Sequence, residues 1–126
     1  MKAEHIAVAS NSEVDSDKFF ISLLGLKKTR SFNVSADLME QFFNIKKEQK
    51  LIRYQNNEIS FEIFITDDLS KSKDVFTHIC LVVEDRDELI NNSLSMGYTT
   101  IKVPRKDGSG YYLFIKDSYG NLYEIK

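Results

Sequence analysis

An internal repeat constrains the fold of this chain more than any other feature of its sequence. The stretch His5-Ile6-Ala7-Val8 returns as His78-Ile79-Cys80-Leu81, so the only two histidines lie 73 positions apart at the same point of each copy. Two more pairs of segments follow the same pattern: Leu24-Gly25 with Met96-Gly97, and Phe61-Glu62-Ile63 with Tyr123-Glu124-Ile125. Because self-similarity of this kind indicates repeated supersecondary units, the sequence predicts two copies of one module.

The first half predicts a strand, a helix and three further strands. Apolar alternation predicts a strand over residues 5–9, and helical spacing then predicts a helix that Asn11 or Ser12 caps and Gly25 ends. The remaining strands are predicted at 26–34, 49–54 and 59–66, with a helical turn at 35–43 capped by Ser35 and a hairpin turn at Asn56-Asn57.

The second half predicts the same order of elements. A strand at 76–83 and a helix at 85–96, closed by Gly97, precede strands at 98–103, 111–116 and 121–126. The polar run 67–74 between the halves predicts a connector. We therefore expect a single domain over residues 1–126, made of two repeats at about 1–66 and 76–126.

Length and charge exclude several classes of protein. The 126 residues suffice for a buried core without disulfides, and Cys80, the only cysteine, has no internal partner. The 17 Lys and Arg against 19 Asp and Glu give a net charge of −2 with the signs interspersed, which argues against a nucleic-acid partner. No apolar run approaches the roughly 18 residues of a membrane span. We expect a cytoplasmic protein with neither a nucleic-acid nor a membrane partner.

Four polar residues stand out at equivalent points of the repeat. Strand alternation puts His5 and Glu62, and likewise His78 and Glu124, on the face opposite the apolar residues that pack under the helices. A pseudo-twofold relation between the halves would bring the four side chains to one centre. Nitrogen and oxygen donors of this kind suit Zn, Ni, Co, Mn or Fe(II), and four ligands around an octahedral ion leave two positions for water or substrate. Each residue alone is as easily a solvent-facing side chain of an antiparallel strand; their joint recurrence indicates a metal site.

These residues, together with the turn Asp117-Ser118-Tyr119-Gly120-Asn121, resemble those of the vicinal oxygen chelate superfamily, nearest its glyoxalase I and methylmalonyl-CoA epimerase branch. The resemblance spans the whole chain. It implies an α+β fold of two βαβββ modules whose mixed sheets curve into a cup, and commonly a homodimer. It also implies that His5, Glu62, His78 and Glu124 bind a divalent metal ion. In the antibiotic-binding branch, represented by the bleomycin-resistance proteins, these positions are usually not ligands.

The resemblance implies a metal-dependent lyase or isomerase whose substrate chelates the ion through neighbouring oxygens. Glu124 is then the expected catalytic base and Glu62 its counterpart on the other side of the substrate. Phe64, Arg105 and Tyr112 are the candidate substrate-binding residues, although aromatic side chains more often pack in the sheet and a cationic loop is more often a solvated hairpin. The first strand lacks the arginine that glyoxalase I enzymes commonly place there, which argues against lactoylglutathione as the substrate. Arg30, Arg53 and Arg105 would substitute for it only where the fold brings them near.

Two other functions stay open at this point. In the first, the chain binds a drug or metabolite in the cup without catalysis, as the bleomycin-resistance proteins do. In the second, the metal only holds a structural dimer together. The presence of all four candidate metal ligands favours catalysis. A divalent metal ion of undetermined identity is the expected cofactor. Cys80, next to His78 on the same face, is given no role, since a lone cysteine is more often a small buried apolar residue.

Overall fold

The computed structural model describes residues 2–126 and divides into two compact units, Met1–Ser70 and Lys71–Lys126. Each unit contains one four-stranded mixed sheet, in which the first strand pairs parallel with the last and the other pairings are antiparallel. The predicted α+β class is confirmed. Within the described residues, no helix is both long and apolar enough to cross a membrane.

Unit 1 has the strand order β1-β4-β3-β2. Its strands are β1 (Ile6–Ser10), β2 (Lys27–Val34), β3 (Gln49–Gln55) and β4 (Ser60–Ile65), and its helices are α1 (Glu13–Ser16), which continues as a π-helical segment (Asp17–Leu23), and α2 (Ala36–Phe43). The predicted hairpin turn is present, because the backbone N–H of Asn56 donates to the carbonyl of Ile59 at 3.0 Å. The helical turn predicted at 35–43 is a full α-helix, capped by Ser35.

Unit 2 has the strand order β5-β8-β7-β6. Its elements are β5 (His78–Leu81), α3 (Arg86–Ser95), β6 (Thr99–Pro104), β7 (Tyr111–Lys116) and β8 (Leu122–Ile125). Strand β5 is shorter than the predicted 76–83. The backbone N–H groups of Phe76 and Thr77 donate to Asp74 Oδ1 at 2.8 and 2.9 Å instead of to a neighbouring strand. Asp85 caps α3 by accepting a hydrogen bond from the Glu88 N–H at 2.9 Å.

Alternate residues of the strands form the core of each unit. Phe61, Ile63 and Ile65 of β4 are buried, as are Tyr123 and Ile125 of β8. In unit 1 the ring of Phe20 stacks on Tyr54 at 5.1 Å between centroids. Burial of one face of each strand leaves the intervening residues, which include Glu62 and Glu124, on the opposite face.

The first helix differs from its prediction as one regular α-helix. Ser12 caps it by accepting from the Asp15 N–H at 3.1 Å, but from Asp17 onward the helix is wound as a π-helix. Within this wider segment the consecutive residues Phe19 and Phe20 are both buried. Asn11, the alternative predicted cap, does not cap the helix. Its Nδ2 donates to the carbonyls of Asp68 and Ser70, which lie at the start of the predicted connector 67–74.

Candidate functional site

Unit 1 brings two of the predicted site residues together. His5 directly precedes β1, and Glu62 lies on β4, the strand that pairs parallel with β1. His5 Nε2 lies 3.3 Å from Glu62 Oε2, and the Glu62 side chain is only 15% exposed. The parallel register therefore places an imidazole nitrogen and a carboxylate oxygen at contact distance.

Unit 2 repeats this arrangement with His78 and Glu124. His78 opens β5, and β5 pairs parallel with β8 in a register that sets Cys80 opposite Glu124. His78 Nε2 lies 3.6 Å from Glu124 Oε2. Cys80 is exposed, rather than buried as lone cysteines more often are.

The second ring nitrogen of each histidine has its own partner. His5 Nδ1 is hydrogen-bonded to the carboxylate of Glu4, and His78 Nδ1 is 2.9 Å from the carbonyl oxygen of Phe76. Both partners are acceptors, so Nδ1 carries a hydrogen, and Nε2 is the ring nitrogen that faces the glutamate. A ring held through Nδ1–H with Nε2 directed at a carboxylate oxygen has the orientation of histidines that bind metals.

The spacing of the unit 1 pair fits two ligands of one metal ion, and the spacing of the unit 2 pair is slightly wider. Donor atoms bound at about 2.1 Å with a ligand–metal–ligand angle near 90–110° are about 3.0–3.4 Å apart. The 3.3 Å pair in unit 1 lies in this range and the 3.6 Å pair in unit 2 lies just outside it. Among the described residues, no group of three or more His, Cys, Asp or Glu side chains is placed to hold an ion.

Arg53, one of the three arginines considered as substrate-binding candidates, is a neighbour of the unit 1 pair, but its contact with Glu62 was not predicted. It lies on β3 directly opposite Glu62 in the antiparallel register, and its Nη2 is 2.5 Å from Glu62 Oε1. Its Nη1 is 3.2 Å from Glu4 Oε1. The hydrogen bond from His5, with the nearby charge of Arg53, lowers the pKa of Glu4, and the Glu62 carboxylate raises the pKa of Arg53. Only cross-strand register reveals this contact, since nine positions separate Arg53 and Glu62 in the chain.

The corresponding neighbour in unit 2 is aromatic. Phe114 of β7 lies opposite Glu124 in the register, and its ring meets the His78 ring edge-on at 5.7 Å between centroids. The only cation within ion-pair distance of Glu124 in the described chain is Lys126, whose Nζ is 3.6 Å from Glu124 Oε1. The two pairs therefore share their geometry but differ in electrostatic surroundings.

Two of the three predicted substrate-binding residues, Phe64 and Tyr112, lie on the same strand faces as the two pairs, and Arg105 lies in the loop after β6. Phe64 follows Glu62 by two positions on β4, and its ring meets that of Phe43 from α2 at 5.4 Å between centroids. In unit 2, Tyr112 precedes Phe114 by two positions on β7, and the Arg105 guanidinium lies 4.2 Å above its ring. Tyr112 is 44% exposed, so both an aromatic surface and a cation are accessible on this face.

A buried carboxylate organises the turn before β8, the strand that carries Glu124. Asp117 accepts hydrogen bonds from the backbone N–H groups of Gly120 and Asn121, from Asn121 Nδ2 and from the Tyr123 hydroxyl. Gly120 has a φ of 94°, in the left-handed region that favours glycine. Burial raises the pKa of Asp117 despite these hydrogen bonds. Sequence reasoning found the turn but not the burial of its carboxylate.

Comparison with solved structures identifies the fold. A glyoxalase family protein from Enterococcus faecalis matches with a TM-score of 0.72 and 19% identity over 98% of this chain and 95% of its own. One from Bacillus cereus matches with a TM-score of 0.73 and 15% identity over 99% and 92%. A mutant of the fosfomycin resistance protein FosX from Listeria monocytogenes, complexed with Mn(II) and 1S,2S-dihydroxypropylphosphonic acid, matches with a TM-score of 0.72 and 16% identity over 98% and 87%. No protein-family model and no curated protein sequence matches the chain. From the structural matches, the chain has a glyoxalase-like fold.

Proposed function

We propose that the chain is a glyoxalase-like, divalent-metal-dependent lyase or isomerase, in which residues 1–126 act as one domain. His5 and Glu62 from unit 1, with His78 and Glu124 from unit 2, are the proposed metal ligands. The observation that carries the proposal is the recurrence of one arrangement: in both units Nδ1 is hydrogen-bonded and Nε2 faces a glutamate oxygen, at 3.3 and 3.6 Å. The same orientation recurs at both copies of the repeat, which supports a shared role for the two pairs.

The proposed reaction is proton transfer on a small substrate with two neighbouring oxygens. A bound divalent ion would act as a Lewis acid toward such a substrate. Glu124 is the proposed base, because Phe114, and no arginine, lies opposite it in the sheet. Glu62 is the proposed counterpart on the other side of the substrate, and its contact with Arg53 fixes the orientation of its carboxylate.

The substrate is proposed to carry an anionic group and an apolar group. Arg105, stacked on Tyr112, offers a fixed guanidinium for a carboxylate or phosphonate. Phe64 and its neighbour Phe43, which is 51% exposed, offer an apolar wall. The FosX complex with Mn(II) and a dihydroxyphosphonate supports Mn(II) as the first metal to test.

We also propose that the protein acts as a cytoplasmic homodimer. The support is the family resemblance together with a single, exposed cysteine, which suits a reducing compartment. Sedimentation equilibrium tests the dimer directly, and a monomer at micromolar concentration would rule it out.

A screen of purified protein loaded with Mn(II), Ni(II), Co(II) or Zn(II) tests the activity. The substrates are 2-oxoaldehyde hemithioacetals and acyl-CoA epimers, assayed in D2O so that any exchange of the carbon-bound proton is detected. We expect turnover or exchange that Glu124→Gln abolishes and Glu58→Gln, a substitution in the exposed β3–β4 turn, leaves unchanged. Metal binding without exchange of any substrate would favour the alternative of a non-catalytic drug- or metabolite-binding protein, for which the exposed Phe42 and Phe43 are the specific support.

A further inference from the structure

Four side chains of unit 1 form a closed ring of polar contacts. Glu62 Oε2 faces His5 Nε2, His5 Nδ1 is bonded to Glu4, Glu4 Oε1 is 3.2 Å from Arg53 Nη1, and Arg53 Nη2 returns to Glu62 Oε1 at 2.5 Å. Each residue therefore contacts two others, and the rotamer of each is fixed by both. Such a ring holds its members more firmly than separate pairs would.

The fold does not require this ring. In unit 2 the equivalent positions build the same histidine–glutamate geometry with the Phe76 carbonyl in place of Glu4 and with Phe114 in place of Arg53. Placing Arg53 there has a cost, because its Nε is buried with no hydrogen-bond partner within residues 2–126. Arg53 therefore has an energetic cost and is not needed for the fold, which indicates that it has another role.

The contacts of Glu4 and Arg53 are those of groups that orient metal ligands. A carboxylate on Nδ1 fixes the tautomer and the ring plane of a histidine that binds through Nε2. Arg53 occupies Oε1 of Glu62 and leaves Oε2 directed at His5. Arginine suits this task, since its planar fork bridges two carboxylates at once, whereas the ammonium group of lysine does not.

We propose that Glu4 and Arg53 are positioning residues, which hold His5 and Glu62 in the metal-binding geometry before an ion arrives. This inference rests on the proposed function for its metal, but the orientation of His5 is a property of the metal-free protein. Glu4 and Arg53 also explain how His5, with 37% of its side chain exposed, is held in one orientation.

The first test reads the His5 tautomer in metal-free protein by long-range 15N–1H NMR at about pH 8, where imidazoles are generally neutral. We expect the Nδ1–H tautomer at both histidines of the parent. Glu4→Gln should shift His5 toward a mixture and leave His78 unchanged, while Glu58→Gln should affect neither. An unchanged His5 in Glu4→Gln would overturn the role of Glu4, whatever the metal result.

The second test measures Mn(II) affinity by calorimetry and by the EPR signal of free Mn(II). Glu4→Gln and Arg53→Met should each weaken binding about 10-fold or more, as loss of groups that orient ligands does elsewhere. Arg30→Met is the matched control, because Arg30 pairs with Arg53 across β2 and β3 and contacts the Phe32 ring. It should bind as the parent does.

A double variant separates positioning from general destabilisation. Glu4 and Arg53 act through one ring, so the combined substitution should weaken Mn(II) binding by less than the product of the two single effects. Parental affinity in both single variants, with binding lost in His5→Ala, would overturn the inference and leave the proposed function standing. No Mn(II) binding by the parent would overturn the proposed function and the metal-directed part of the inference together.

Discussion

Arg53 and Phe114 occupy equivalent positions in the two sheets: Arg53 lies opposite Glu62 on the neighbouring strand, and Phe114 lies opposite Glu124. One carboxylate is therefore held by a guanidinium at 2.5 Å, whereas the other lies beside an aromatic ring and a lysine nitrogen at 3.6 Å. The two halves repeat their donor atoms but not their surroundings, so substitutions at equivalent positions should have unequal effects.

The unequal surroundings predict unequal losses of stability in metal-free protein. Glu62→Gln removes a charge-assisted hydrogen bond from the largely buried Arg53 and should lower the free energy of unfolding by about 1–3 kcal/mol. Glu124→Gln weakens two longer contacts, with His78 and with the more exposed Lys126, both at 3.6 Å, and should cost less than about 1 kcal/mol. Urea denaturation in the presence of a chelator measures both. Equal losses, or a larger loss for Glu124→Gln, would contradict the asymmetry.

Asp117→Asn should destabilise the turn that leads into β8. The carboxylate accepts hydrogen bonds at both oxygens, from Gly120 and Asn121 at one and from Asn121 and Tyr123 at the other. Asparagine retains one acceptor oxygen and sets an amide donor against other donors, so we expect a loss of about 1–3 kcal/mol by chemical denaturation. A variant as stable as the parent would show that these hydrogen bonds contribute nothing.

The raised pKa of Asp117 predicts a pH dependence of stability. Its native pKa lies above the ordinary value of 3.8 because burial penalises the charged form. A group of this kind contributes full stability below its unfolded pKa and loses that contribution as pH rises through its native pKa. The stability of the parent relative to Asp117→Asn should therefore grow as the pH falls from about 7 to about 4. A constant or shrinking difference in this window would show that the native pKa is not raised.

Tyr54→Phe should loosen the attachment of the π-helical segment to the sheet. The buried Tyr54 hydroxyl donates to Asp17 Oδ1 at 2.7 Å, and Lys28 Nζ lies 2.8 Å from Asp17 Oδ2. Burial raises the pKa of Tyr54, so the phenol is the donor at any physiological pH. Loss of this hydrogen bond should cost about 1 kcal/mol in thermal or urea unfolding. Tyr112→Phe, at an exposed position, is the control and should unfold as the parent does.

Much of the fold follows from the sequence because its signals are local. Alternation within β4 and β8 predicts which residues are buried and places Glu62 and Glu124 on the other face. Ser12, Ser35 and Asp85 are side-chain caps, which depend on a few neighbouring residues alone. The pairing of each histidine with a glutamate follows from the repeat and the parallel register of its strands.

The features missed from the sequence depend on register and on helix winding. Arg53 meets Glu62 because a particular antiparallel register sets them opposite, and a shift of one residue would put Arg53 on the other face. Helical spacing from Ser12 to Gly25 does not distinguish an α-helix from the π-helical winding that buries both Phe19 and Phe20. The burial of Asp117 likewise depends on how the turn packs against Tyr123.

The metal content of the protein tests the central claim most directly. Protein purified without an affinity tag or chelator is compared by elemental analysis with a His5→Ala/His78→Ala variant, and circular dichroism checks that the variant is folded. The account predicts about one equivalent of a transition metal in the parent and none in the variant. No metal in the parent, and none taken up after addition of Ni(II), Co(II), Mn(II) or Zn(II), would contradict it.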